Sequence, residues 1–275
     1  MVYEEPLHHD PEAVTLLFRA FNEWVYEDWG FAYRDTLFAA PYLTLADPDW
    51  AIAELEWALE RGARTIVMRT AAAFTRDGAF SPFHTRFDPF WARVAEAGIT
   101  VVAHAGDSGY TTHGYAQDGF GASFKGSEGG GYGASIKAFH IERAAHDFLA
   151  QAIFDKLFER FPNLRLASVE NGSEFLDYLF RKLRHQVHKS PGWFKEDPVE
   201  VFRRNVWINP FWEDDVREVV RLMGPERVIF GSDWPHIEGM PQPLDYLPEL
   251  ADFDDATRRA ILRDNVRALN TPRPA

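Results

Sequence analysis

Arg69, His104, Glu170, Asn209 and Asp233 each stand just past the carboxyl end of a short apolar run. Those runs are TIVM, ITVVA, LRLASV, VWI and VIF, and the residues after them are the kinds that do chemistry. A carboxylate such as Asp233, in VIFGSDWPHIEG, can ligate a divalent metal or take a proton from a bound water. It can equally be a turn or helix-capping aspartate. His104, in VVAHAG, supplies an imidazole, a common zinc ligand, or is simply a satisfied polar residue. Glu170, in LASVENG, is a second candidate metal ligand or general base, unless it only anchors its turn with Asn171. Arg69 offers a fork suited to a substrate carboxylate, or to an ion pair with an acid on a nearby loop. His236, three residues after Asp233, could contact substrate, orient Asp233, or pack beside Trp234.

The elements that must position these residues alternate in type. Amphipathic patterns predict helices at 11–29, 47–61, 87–97, 140–161, 174–188, 214–223 and 255–269, with Gly62 and Gly98 as helix stops. Between them lie predicted strands at 37–45, 65–68, 99–103, 164–169, 206–208 and 228–230, the first interrupted by Pro41. Near-continuous apolar strands alternating with helices predict a parallel sheet buried on both faces. A doubly wound sheet and a (β/α) TIM-type barrel both satisfy the pattern. Polar residues at every strand end favour the barrel, whose strands share one mouth. Six predicted strands fall short of the eight that close such a barrel. The expectation is therefore an incomplete barrel in one domain over 1–275, its open edge covered by the N-terminal helix or by a second copy in a homodimer.

Composition removes several alternatives. A net charge of -13, from 29 Lys+Arg and 42 Asp+Glu, disfavours nucleic acid and anionic lipid as partners. No apolar run is long enough for a membrane span, and the acidic start lacks the character of a signal peptide, so a cytoplasmic location is expected. With no cysteine there are no disulfides, zinc–cysteine clusters or cysteine nucleophile. No G-x-S-x-G elbow points to a serine hydrolase. The glycine-rich segment 106–135 matches neither phosphate-loop order. It reads as a lid from which Tyr110, His113 and Tyr115 could meet a small-molecule substrate. His185 and His188 share a predicted helix face that solvent explains better than metal.

FPNLRLASVENGSEF, VIFGSDWPHIEG and the closing DNVRALN together resemble the amidohydrolase-related metal-dependent hydrolases, relatives of aminocarboxymuconate-semialdehyde decarboxylase. The likeness runs from about Phe21 to the C-terminus, and GSDWPH is its most specific part. It implies a distorted barrel with a divalent metal, zinc or alternatively manganese, at the mouth. His104 and Asp233 match two of the family's metal ligands, and Glu170 stands where the decarboxylases carry an acid/base histidine, as in a branch with Glu-Asn-Gly or Glu-Ser-Gly there. The His-x-His pair of the family's first strand has no counterpart, in keeping with two missing strands and a chain short at its N-terminus. The resemblance thus implies a hydrolase or carboxy-lyase acting on a small carboxylated or ring substrate. Asp233 and Glu170 would be catalytic, Arg69 and His236 would touch substrate, and His104, Asp233 and Glu170 would hold metal. A metal-free barrel remnant with a binding or structural role is the alternative.

Overall fold

A computed structural model of the chain describes residues 4–106, 108–109, 139–236 and 239–273. The predicted lid with Tyr110, His113 and Tyr115 lies outside the described residues. Strands β1 (Thr65–Arg69), β4 (Thr100–His104), β5 (Arg165–Val169) and β6 (Val206–Ile208) form a parallel sheet in that order. The sheet grows by one bridge on each side. Tyr42 pairs with Val67 and Val228 with Ile208, both in parallel. The six predicted strands are thus laid side by side in chain order, as in part of a (β/α) barrel. Pro41 explains why the first is so short: its carbonyl accepts from Val67, but it has no N–H to carry the ladder further.

Helices α2 (Pro48–Glu60), α3 (Asp88–Ala97), α4 (His140–Phe154), α6 (Phe175–Lys189), α7 (Pro198–Asn205) and α8 (Val216–Met223) connect the strands. Alternate strand residues Ile66, Met68, Val101, Ala103, Leu166, Val206, Ile208 and Val228 share one apolar cluster with these helices. The other face carries Val67, Val102, Ala167, Trp207 and Ile229 at mid-height. Above them, at the strands' carboxyl ends, come Arg69, His104, Val169, Asn209 and Gly231. The period of two therefore sends Arg69, His104 and Asn209 to the same side as the barrel interior, whereas Glu170 follows Val169 in a turn.

Both edges of the sheet are covered from within the chain. Helix α1 (Pro11–Trp29), capped by Asp10, packs Val14 and Phe18 on Tyr42 and Val67. Its Asn22 amide then takes the place of a neighbouring strand: Nδ2 donates to the Tyr42 carbonyl at 2.8 Å, and Oδ1 accepts the Tyr42 N–H at 2.7 Å. Nδ2 also donates to Glu54 Oε1 at 2.8 Å, and the buried Glu54 meets Arg19 at 2.6 Å. On the far edge the Phe230 N–H donates to the Ile261 carbonyl at 3.1 Å. The predicted 255–269 helix is in fact α9 (Asp255–Arg259), a π-helical turn (Ala260–Asp264) and α10 (Asn265–Leu269). The widened turn frees the Ile261 carbonyl for the strand, a reason a sequence period does not reveal. Asn265 completes the seam by donating to the Val228 and Pro225 carbonyls at 2.7 and 2.8 Å.

Three further differences have local causes. The predicted 140–161 helix breaks at Lys156, which is left-handed (φ 58°), before a short helix α5 (Leu157–Arg160); the reversal lets Leu157 and Phe158 both face the core. Helix α7, opened by Asp197 and Pro198, was not anticipated. Nor was the antiparallel hairpin of β2 (Ala73–Thr75) and β3 (Gly78–Phe80) that follows β1.

Candidate active site

The mouth is built by four strand ends. β4 ends on His104, whose Nδ1 lies 2.8 Å from the Ala105 carbonyl and whose Nε2 lies 3.0 Å from Glu170 Oε2. Glu170 follows β5 and is held there by Asn171. That fully buried side chain donates to the Ala103 carbonyl at 2.8 Å and to Ser168 Oγ at 3.1 Å, tying the turn to both strands. Asn209, after β6, donates from Nδ2 to the Ile229 carbonyl at 3.3 Å and so links β6 to the last strand. Asp233 sits in a turn closed by backbone bonds from His236 to Asp233 (2.8 Å) and from Met240 to Ser232 (2.8 Å).

Glu170 (φ 57°) and Asp233 (φ 55°) both adopt the left-handed backbone that non-glycine residues avoid. Such positions cluster where a side chain must be aimed at a site. The two carboxylates, with His104, Asn209, Phe211, Trp212 and Met240, line one cavity of about 520 Å³. His236 Nδ1 is 3.7 Å from Asp233 Oδ2 and half exposed, at the outer rim of this group.

The electrostatics of His104 follow from those neighbours. Burial pulls its pKa down, but the bonds to Glu170 and to the Ala105 carbonyl, with the negative charge of Glu170 and Asp233, outweigh burial and raise it above the ordinary 6.5. Both ring nitrogens face oxygen acceptors, the arrangement that suits a doubly protonated imidazole. The shift makes a stability contribution that is complete below 6.5 and is lost as pH rises through the raised value.

His104 and Glu170 touch, and Asp233 shares their cavity and acts on His104 through its charge. Two of the three expected metal ligands are therefore in contact. Among the described residues, however, no group of three or more His, Asp or Glu is placed to hold a metal ion. The donor types suit a divalent cation, but their arrangement does not form a three-ligand cradle. Arg69 ends β1 in register with His104, yet its guanidinium is buried against Glu4 (Nε to Oε2, 2.8 Å) and Glu5 (Nη1 to Oε2, 3.2 Å). The ion pair weighed from sequence is therefore present, its acids coming from the N-terminal segment. Glu4, Glu5, Tyr42 and Thr44 were not foreseen as neighbours of Arg69. The one available signal was the alternation of Tyr42 and Thr44 along the first strand.

The floor of the Glu170 turn gives a stability test. A Cβ on Gly172 (φ +66°) would come 2.6 Å from Glu142 Oε1 and 2.8 Å from a Phe211 ring carbon, whereas Gly30, at the same φ, faces open space. Both alanine variants should lose about 1 kcal/mol from backbone conformation. Gly172→Ala should lose about 1–2 kcal/mol more from overpacking. Equal midpoints for the two variants in denaturant titration would show that the Gly172 contact is not tight.

Comparison with known proteins bears on the family and the fold. The amidohydrolase family model matches residues 6–269. An amidohydrolase structure from Mycobacterium avium subsp. paratuberculosis K-10 is 39% identical, with a TM-score of 0.87 over 98% of this chain and 67% of that one. A dihydroxybenzoic acid decarboxylase from Polaromonas sp. JS666, crystallised with manganese and an inhibitor, shares the fold. Its TM-score is 0.73 at 19% identity, over 95% of this chain and 76% of that one. A 2-amino-3-carboxymuconate-6-semialdehyde decarboxylase of Dictyostelium discoideum is 24% identical over 124 residues, spanning 42% of this chain and 34% of that protein. Among the described residues no helix is long and apolar enough to cross a membrane. By its matched span and its fold, the chain belongs to the amidohydrolase family.

Proposed function

We propose that the chain is a carboxy-lyase of this family that removes CO2 from a small carboxylated aromatic acid, with His104 and Glu170 as its proton-transfer pair. The observation that carries this reading is the 3.0 Å contact between His104 Nε2 and Glu170 inside the 520 Å³ cavity. Protonated His104 delivers its Nε2 proton to the ring carbon that bears the carboxylate. The bond from that carbon to the carboxylate then breaks, its electron pair returns to the ring, and CO2 leaves. Solvent reprotonates His104, and Glu170 holds the imidazole in its charged form for the next turnover. Asp233 adds negative charge that favours the same protonation state. The fold relationship to dihydroxybenzoic acid and aminocarboxymuconate-semialdehyde decarboxylases supports decarboxylation over hydrolysis.

A divalent cation, zinc or manganese, fits the donor types of His104, Glu170 and Asp233, but only two of these are in contact. We expect this chain to hold either metal weakly, well below one per chain after dialysis, as elemental analysis can measure. One tightly held metal per chain, lost in Asp233→Ala, would contradict that. The functional test is CO2 release from a panel of carboxylated phenols, by wild type and His104→Ala, with and without added manganese. Release that depends on His104 is expected. No release under any condition would favour the second reading, a binding protein on a barrel remnant, to which the absence of a three-ligand group among the described residues lends weight.

A further inference from the structure

Glu4 is a charged side chain delivered by the N-terminal segment to the carboxyl ends of the strands, where it is 6% exposed. Its carboxylate accepts two hydrogen bonds and forms one ion pair. Thr44 Oγ1 donates to Oε1 at 2.5 Å, Tyr42 Oη donates to Oε2 at 3.1 Å, and Arg69 Nε meets Oε2 at 2.8 Å. The three donors come from two adjacent strands and point from one face, because Tyr42 lies opposite Val67 and the alternation carries Thr44 opposite Arg69. All are buried. Burial and the neighbouring Glu4 charge hold the Tyr42 hydroxyl well above the ordinary phenol range, so it stays a donor.

We propose that Arg69, Tyr42 and Thr44 form a carboxylate-binding subsite, that Glu4 fills it as an intramolecular stand-in, and that the carboxylate of a small aromatic acid takes the same seat by displacing Glu4. Three features beyond the bonds support it. First, the charge balance is suited to exchange. Glu5 pairs with Arg69 Nη1 independently, so one carboxylate leaving and another arriving restores the same charges. Second, there is room. The seat shares Ala71, Ala72 and Pro82 with an adjoining cavity of about 480 Å³. Phe80, Phe148 and Ala144 give that cavity apolar walls for a ring, and Thr70 Oγ1 is a buried hydroxyl on its wall with no hydrogen-bond partner among the described residues. Third, the seat is one strand from His104, since Arg69 and His104 are register partners. Glu4 thereby becomes a built-in competitor of the ligand. That the acid is a substrate rests on the proposed function; that the seat takes an external carboxylate does not.

The test uses the full chain, with benzoate as probe and benzamide as its uncharged counterpart, followed by calorimetric titration and thermal melting. Removing the internal competitor in Glu4→Ala should tighten benzoate binding about tenfold or more. Benzoate should also restore thermal stability lost in that variant, and benzamide should do neither. Adding Arg69→Met to Glu4→Ala should abolish the gain. Glu4→Gln, which keeps the shape of the side chain, serves if Glu4→Ala does not fold, and should also bind benzoate more tightly than wild type. Equal benzoate affinity in wild type and Glu4 variants, equal binding of benzamide, or a gain that survives Arg69→Met would each overturn the proposal. None of these readouts requires turnover. A benzoate-binding seat without CO2 release would leave the subsite standing and remove the carboxy-lyase reading. CO2 release without a benzoate seat would do the reverse.

Discussion

Replacing Glu170 with Gln is expected to lower kcat/KM for a carboxylated phenol by about 100-fold or more while leaving the chain folded. The size follows from the contribution of a positioned acid–base group, commonly 10²–10⁴-fold. The variant keeps the shape of the residue and its left-handed turn, which Asn171 anchors from beneath. It removes the carboxylate 3.0 Å from His104 Nε2 and with it two of the influences that raise the histidine's pKa. Because His104 acts as the acid, activity should fall as pH rises through its pKa. In Glu170→Gln that alkaline limb should move to lower pH, since burial then pulls the pKa down with less opposition. A merely structural Glu170 would change the height of the pH–rate profile and leave the limb in place.

The largest stability loss should come from the edge of the sheet. Asn22→Ala removes all three hydrogen bonds made by a fully buried amide and leaves the Tyr42 N–H, the Tyr42 carbonyl and Glu54 with one partner fewer each. Orphaned buried groups cost roughly 1–3 kcal/mol apiece, and a charged one more, so a total of about 3–5 kcal/mol is expected. For a chain of this size that lowers Tm by roughly 8 °C or more. Glu54 adds a direction to the effect. Burial already raises its pKa, against the hydrogen bond from Asn22 and the charge of Arg19, so losing Asn22 should raise it further. Thermal unfolding of Asn22→Ala and Asn22→Asp would measure this, with Asp the worse because it sets a second carboxylate beside Glu54. A loss under about 1 kcal/mol in Asn22→Ala would mean that the edge does not need its cap.

Much of this was legible in the chain itself. Alternation of apolar runs with amphipathic helices was enough to order six strands, and the polar residue after each run marked the mouth. His104, Glu170, Asn209 and Asp233 do line one cavity. What the sequence could not show was contact between distant segments. Nothing in Glu4, Glu5 or Asn22 as residue types says that they meet Arg69 or Tyr42, because those meetings depend on how α1 and the segment before it fold back over the sheet. Arg69 shows the limit well. Its position at a strand end was readable, but its partners were not. The break at Lys156 and the π-helical turn at Ala260–Asp264 were hidden for a similar reason, since both interrupt a good helical period to satisfy tertiary needs.

The claim at the centre is that the mouth is organised around an imidazolium held by a carboxylate. Titration of the His104 ring nitrogens by ¹⁵N NMR in wild type and Glu170→Gln tests it without a substrate. A wild-type pKa above 6.5 is expected, falling in the variant. A wild-type value at or below 6.5, or one that Glu170→Gln leaves unchanged, would contradict it.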